Sequence, residues 1–244
     1  MPRRINTGMN VYFQSRRRLR GIAGYGFAVV AALATPPCAL ASSAKRIEPY
    51  LLASPSREIA LARSAAPPSI SRPATILVLK PQGYVAVVRG TNGFVCLVER
   101  SWDNRLNAKR TRFWNPRSRF PFCFNPAGAR SILPRYLRRT RWVMAGATRR
   151  QIRTRQRSDW TEGVFKAPEP GAMSYMMSKE GRGVGGLPGP WRPHLMFYFP
   201  REEMPDWGAN LPGGPIYVSA RTHTAVFYVL VPVWSDGSLA PAYR

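Results

Sequence analysis

The run from Gly83 to Arg100, GYVAVVRGTNGFVCLVER, constrains the fold more than any other stretch. Asn92-Gly93 is a strong short-range hairpin signal, because a type I′ turn needs positive φ at both central residues. β-Branched and aromatic residues flank it: Tyr84, Val85, Val87 and Val88 before, Phe94, Val95, Leu97 and Val98 after. Such side chains favour a pleated, half-buried surface. The run therefore predicts two strands folded back on each other. TILVLK (Thr75 to Lys80) adds a third through the Pro81-Gln82-Gly83 turn, giving a three-stranded meander. The plain alternative is a core sheet that carries no chemistry.

The same run contains Cys96, and its partner follows from where the protein is expected to work. Arg16, Arg17, Arg18 and Arg20 precede an apolar stretch from about Gly21 to Leu33, and Ala39-Leu40-Ala41 is a small-x-small cleavage pattern. Residues 1–41 thus read as an export signal, basic, then apolar, then cleavable. Met9 as the true start would shorten its basic region. The apolar stretch is short for a membrane span, although an uncleaved anchor is the alternative to cleavage. Ser15-Arg16-Arg17-Arg18-Leu19 also matches a twin-arginine signal, so the ordinary secretory route and the twin-arginine route both stand. Cys38 leaves with the signal. Cys96 and Cys123 remain, an even number in an oxidising compartment, and are expected to form a disulfide. Buried free thiols are the alternative.

Residues 42–54 are expected to be a flexible lead, residues 55–234 an α+β globular domain, and residues 235–244 a tail. SREIALAR (Ser56 to Arg63) reads as a helix capped by Ser54 or Ser56, ended by Ala66-Pro67-Pro68. Asn104 to Phe124, with Trp114, Pro116, Phe120, Pro121 and Phe122, reads as loop. Asn125-Pro126 is a cap with proline at the first helical position. Tyr136, Leu137, Val143 and Met144 share a helical face that stops at Gly146. Thr148-Arg149-Arg150-Gln151 is a capping box opening a helix to about Trp160. Ala172 to Ser178, His194 to Phe199, Pro215 to Ala220 and Thr224 to Val233 read as strands. Strands, then helices, then strands imply a largely antiparallel sheet with a few helices packed on it, in one domain.

Charge narrows the partners. The formal net charge is +25; six of those charges precede residue 41, leaving a mature chain near +19. Arg105 to Arg157 holds sixteen Lys and Arg residues and no acid. Such a field attracts anionic envelope polymers or lipid headgroups. The residues expected to grip a polyanion are Arg110, Arg112, Arg117, Arg119, Arg138, Arg139, Arg141, Arg149, Arg150 and Arg153. Arginine outnumbers lysine 32 to 5, which base composition explains as readily as ligand selection. No zinc-finger or RNP-type motif is present, so a specific nucleic-acid function is not expected.

Candidate chemistry is sparse. His194 opens an apolar strand and is the one plausible general acid or base, with Glu99, Tyr175 or Glu180 as partner; the alternative is a satisfied structural histidine. Cys96, Cys123, His194 and His223 lack metal-site spacing and compete with the disulfide, and no cofactor is expected. Gly181 to Gly186 matches G-x-G-x-x-G, but Leu-Pro-Gly-Pro follows instead of a helix, so it reads as a loop. Ser174 and Ser178 lack a nucleophile elbow. Tyr175, Met176 and Met177 read as strand core.

NGFVCLV (Asn92 to Val98), CFNP (Cys123 to Pro126), PGAMSYM (Pro170 to Met176) and PHLMF (Pro193 to Phe197) resemble a group of exported bacterial proteins of unassigned activity. The similarity spans about Glu58 to Pro232. It implies export and one recurrent domain and transfers no functional residue; the arginine runs exceed that group's pattern. Three functions remain: an exported domain binding a partner or small ligand, a small hydrolase-like enzyme using His194, and an envelope polyanion binder acting through Arg105 to Arg157.

Overall fold

A computed structural model of the chain describes residues 47–104, 113–182, 192–203, 208–212, 214–219 and 223–241. The expected export signal, Arg110, Arg112 and most of the Gly181–Gly186 loop lie outside the described residues. The fold is α+β: helices flank one eight-stranded sheet in the order β2-β1-β3-β4-β5-β6-β8-β7. The strands are β1 Thr75–Lys80, β2 Gly83–Val88, β3 Val95–Glu99, β4 Phe120–Phe124, β5 Met173–Met176, β6 His194–Pro200, β7 Ile216–Ser219 and β8 Thr224–Leu230. Every pairing is antiparallel except β1 with β3.

That parallel pair corrects the expected hairpin. β2 and β3 flank β1 on opposite sides and do not pair, so Asn92-Gly93 is not a two-residue turn between them. Gly93 has φ +74°, but Asn92 is not in the left-handed region, and a type I′ turn requires both. Asn92 instead anchors a crossover. Its Nδ2 donates to the Ile70 carbonyl at 2.8 Å, and Thr91 N donates to Pro73 O at 2.8 Å. Gly90 explains why the chain can cross there. A Cβ on it would lie 2.2 Å from Thr75 N and 2.4 Å from Pro73 O, so only glycine passes over the start of β1.

β4 is the second correction. FPFCF, expected as loop, is a strand with all five residues buried. Pro121 has no N–H to give. β4 meets β5 only at Cys123 and Phe124, so Pro121 sits where one side of the strand has no ladder. Cys96 and Cys123 face each other directly in the β3–β4 register and are bonded at 2.01 Å.

Among the described residues six α-helices cover this frame: α1 Pro55–Arg63, α2 Pro68–Ser71, α3 Ser101–Asn104, α4 Pro126–Ser131, α5 Leu133–Met144 and α6 Arg149–Thr161. Their starts follow local chemistry. Ser54 Oγ accepts from Arg57 N, Asn125 Oδ1 accepts from Gly128 N, and Thr148 and Gln151 form the reciprocal capping box. α1 packs Leu61 and Ala62 against Ile76, Val78, Val98 and the disulfide on one face of the sheet. On the other face, Ile132 and Leu133 pack with Leu97, Phe122, Phe124, Met196 and Tyr198. α5 carries α6 outside it. Residues 47–54, expected to be flexible, carry Ile47 and Tyr50 into a third cluster with Trp102, Phe113 and Ile152. Among the described residues no helix is long and apolar enough to cross a membrane.

Candidate functional site

The expected catalytic residues do not assemble. His194 is 2% exposed, its Nδ1 lies 2.8 Å from the Arg192 carbonyl, and its ring sits 5.6 Å from Tyr228. Burial pushes its pKa down, favouring the neutral ring. Glu99 ends β3, and β4 and β5 stand between it and β6. At about 5 Å per strand step, roughly 15 Å separates Glu99 from His194. Tyr175 packs on the opposite face of the sheet, beside Phe94 and the disulfide cluster. Glu180 is exposed in a turn, its N–H held by Ser178 Oγ at 3.1 Å.

The other candidates are also absorbed. Ser174 Oγ lies 2.8 Å from Tyr198 Oη in the core, and Ser178 Oγ lies 2.7 Å from Ser64 Oγ. Met176 and Met177 are buried. His223, just before β8, itself has a left-handed φ of 46°, is half exposed and lies 3.5 Å from Glu202. It stands at the opposite end of β8 from His194's partner Leu230. Among the described residues, no group of three or more His, Cys, Asp or Glu side chains could hold a metal ion.

Buried charge gathers around the end of β3, at residues that no sequence motif marks. Arg100 Nη2 donates to Glu58 Oε1 at 2.9 Å, and both side chains are at most 1% exposed. Arg100 Nε donates to Tyr50 O at 2.9 Å, Nη1 donates to Val98 O, and Glu58 Oε1 also accepts from Leu79 N at 3.1 Å. Next to it, Arg139 donates through Nη1 to the Asp103 carbonyl and through Nη2 to Gln156 Oε1 at 3.0 Å. Burial pushes the Asp103 carboxyl up to about 7, against the opposing pull of Arg139 and the Arg100 N–H. Trp102 Nε1 donates to Thr140 Oγ1 at 3.0 Å and fixes α3 to α5. These hydrogen bonds tie α1, α3, α5 and α6 to the end of β3, while Asp103 Oδ1 and Arg139 Nε are buried without a hydrogen-bond partner.

The expected polyanion residues divide accordingly. Arg138 pairs with Asp159 through two nitrogens, and Arg119 donates to Pro116 O and Ser118 O. Arg149 and Arg153 are half-buried, while Arg117, Arg141 and Arg150 are exposed. Arg155 and Arg157 join Arg150 on the outside of α6.

Besides a concavity of about 180 Å³ beside Leu52, Glu58 and Lys80, a basin of about 320 Å³ lies between the end of α1, α2 and the turn at Ser235-Asp236. No sequence motif marked it, because its walls come from segments far apart in the chain. No protein-family model, curated protein or solved structure matches the chain.

Proposed function

We propose that this chain is an exported, disulfide-linked domain that binds a ligand or partner and performs no chemistry at His194. The observation that carries this reading is the packing of His194, with Glu99 about three strand steps away and Tyr175 on the other face. A general base must reach its proton directly or through one water, and an imidazole sealed between Tyr228 and a backbone carbonyl does not. Export is supported by the basic, apolar and cleavable pattern of residues 1–41 and by the Cys96–Cys123 bond, a linkage that persists in oxidising compartments. The resemblance to exported bacterial proteins points the same way.

The test is to express the full chain, fractionate the cells and weigh the intact protein without reductant. The expected product begins after Ala41, lies outside the cytoplasm and has both cysteines oxidised. An unprocessed cytoplasmic product with two free thiols would overturn the reading.

A second reading, polyanion binding at the cell envelope, is favoured by Arg150, Arg155 and Arg157 standing exposed along α6. Heparin retention that falls steeply with salt would support it; elution at low salt would contradict it.

A further inference from the structure

We infer that the basin between α1, α2 and the Ser235-Asp236 turn is a binding site for a small ligand ending in a tetrahedral oxyanion, a phosphate or sulfate group. This deepens the reading that the domain binds rather than catalyses, and rests on it. Two cations line the basin, Arg63 at the end of α1 and Arg72 just past α2. Neither makes a side-chain hydrogen bond or salt bridge among the described residues. Arg63 Nε is nevertheless buried. A buried donor left unmet costs free energy, which is why such groups usually have a partner. Arg100 and Arg138 have a bonded Nε; Arg135 and Arg139 also leave a buried Nε unmet, but both of their Nη nitrogens are bonded, whereas no side-chain nitrogen of Arg63 is bonded among the described residues.

Ser71 points the same way. It is 3% exposed, lines the basin, and its hydroxyl makes no hydrogen bond among the described residues. Its neighbour Ser64 is committed: it donates to Leu61 O at 2.7 Å and meets Ser178 Oγ at 2.7 Å. The basin's one acid does not compete for the guanidiniums. Asp236 Oδ2 is held by Lys179 at 2.9 Å, and Oδ1 accepts from Ser238 N at 3.0 Å and Oγ at 2.6 Å. Those contacts hold its carboxyl well below the usual range. What remains on offer is two planar guanidinium forks and the Ser71 hydroxyl around a volume of about 320 Å³. Guanidinium forks match oxyanions in bidentate geometry, and the volume lies at the small end of ligand pockets. Donors from two segments, Arg63 at the end of α1 and the adjacent Ser71 and Arg72 at the end of α2, suit the tetrahedral oxygens of phosphate better than a planar carboxylate.

Isothermal titration of the full, oxidised protein at low salt tests the site with inorganic phosphate, glycerol phosphate and acetate. The expected result is saturable one-to-one binding of phosphate and weaker binding of acetate. Arg72→Gln should weaken phosphate by about ten-fold or more, and Ser71→Ala by a few-fold. Arg201→Gln, an exposed arginine just past β6 and away from the basin, should bind as the parent does. Tighter binding of glycerol phosphate assigns the site to a monoester; equal affinity assigns it to the free ion. Absence of saturable heat overturns the site, as does unchanged affinity in both Arg72→Gln and Ser71→Ala, or acetate binding as tightly as phosphate. Arg72 is exposed, so its variant keeps the test open if Arg63→Gln does not fold, with circular dichroism as the check on folding. Failure here leaves the export result untouched, because fractionation does not depend on this basin.

Discussion

Two sets of arginines in one chain do different work. Around the end of β3, Arg100 and Arg139 are buried and bonded to a carboxylate, an amide and backbone carbonyls. Arg135 joins them, bonding Thr224 Oγ1 at 2.7 Å and Lys166 O at 2.6 Å with its guanidinium 4.4 Å from the Trp160 ring. On the outside of α6, Arg150, Arg155 and Arg157 face water. A dense basic sequence therefore does not equal a dense basic surface. The inner set ties α5 and α6 to the sheet and to each other; the outer set faces solvent, and the two basin arginines carry no side-chain hydrogen bond among the described residues.

Variants can break that division at either end. The largest effect is expected from separating Glu58 and Arg100. Glu58→Gln or Arg100→Met should each lower unfolding free energy in urea by about 3–5 kcal/mol, because one buried charge loses its partner. Replacing both by apolar residues of similar volume should recover much of the loss. Opening the disulfide with Cys96→Ala/Cys123→Ala should cost about 3–4 kcal/mol in the chain-entropy account for a loop of this length, read by the same titration. Arg139→Gln should cost about 2–3 kcal/mol, since it strips donors from Asp103 O and Gln156.

Asp103 sharpens the comparison through pH. Its pKa rises on folding from an ordinary value near 3.8 to about 7, mainly by burial, with Arg139, Arg100 and Thr140 pulling it down. Between those values the folded state binds more protons than the unfolded state, so this group's contribution to stability falls as pH rises from about 4 to about 7. Asp103→Asn should remove that fall, and urea titrations of parent and variant across this window should converge differently at the two ends. A constant difference would contradict the buried placement of the carboxyl. The smallest effect belongs to the outer set: Arg150→Gln/Arg155→Gln should change stability by no more than about 0.5 kcal/mol.

Much of the fold was legible because its signals are local. Ser54, Asn125 and Thr148 each write a helix start within four residues, and the Gly83 turn writes the β1–β2 hairpin. Strand order was not legible. Asn92-Gly93 carries a hairpin signature, yet parallel pairing of β1 with β3 is decided by contacts with Ile70 and Pro73, and Gly90 was the residue that marked the crossover. Pro121 hid β4, because a proline is tolerated only where the ladder lapses. The long-range pairings were the least legible. Glu58 stands in the first turn of α1, and its partner lies 42 residues away. The basin joins residues 63–72 to residues 235–236, and no spacing rule reaches across that distance.

The division itself is tested most directly by the salt dependence of binding to a short DNA duplex, used as a generic polyanion. Each arginine that neutralises a phosphate adds close to one unit to the slope of log K against log salt. Arg150→Gln/Arg155→Gln is expected to lower the slope by about two while the fold stands. An unchanged slope in that variant would place the anion-facing arginines elsewhere and contradict the division.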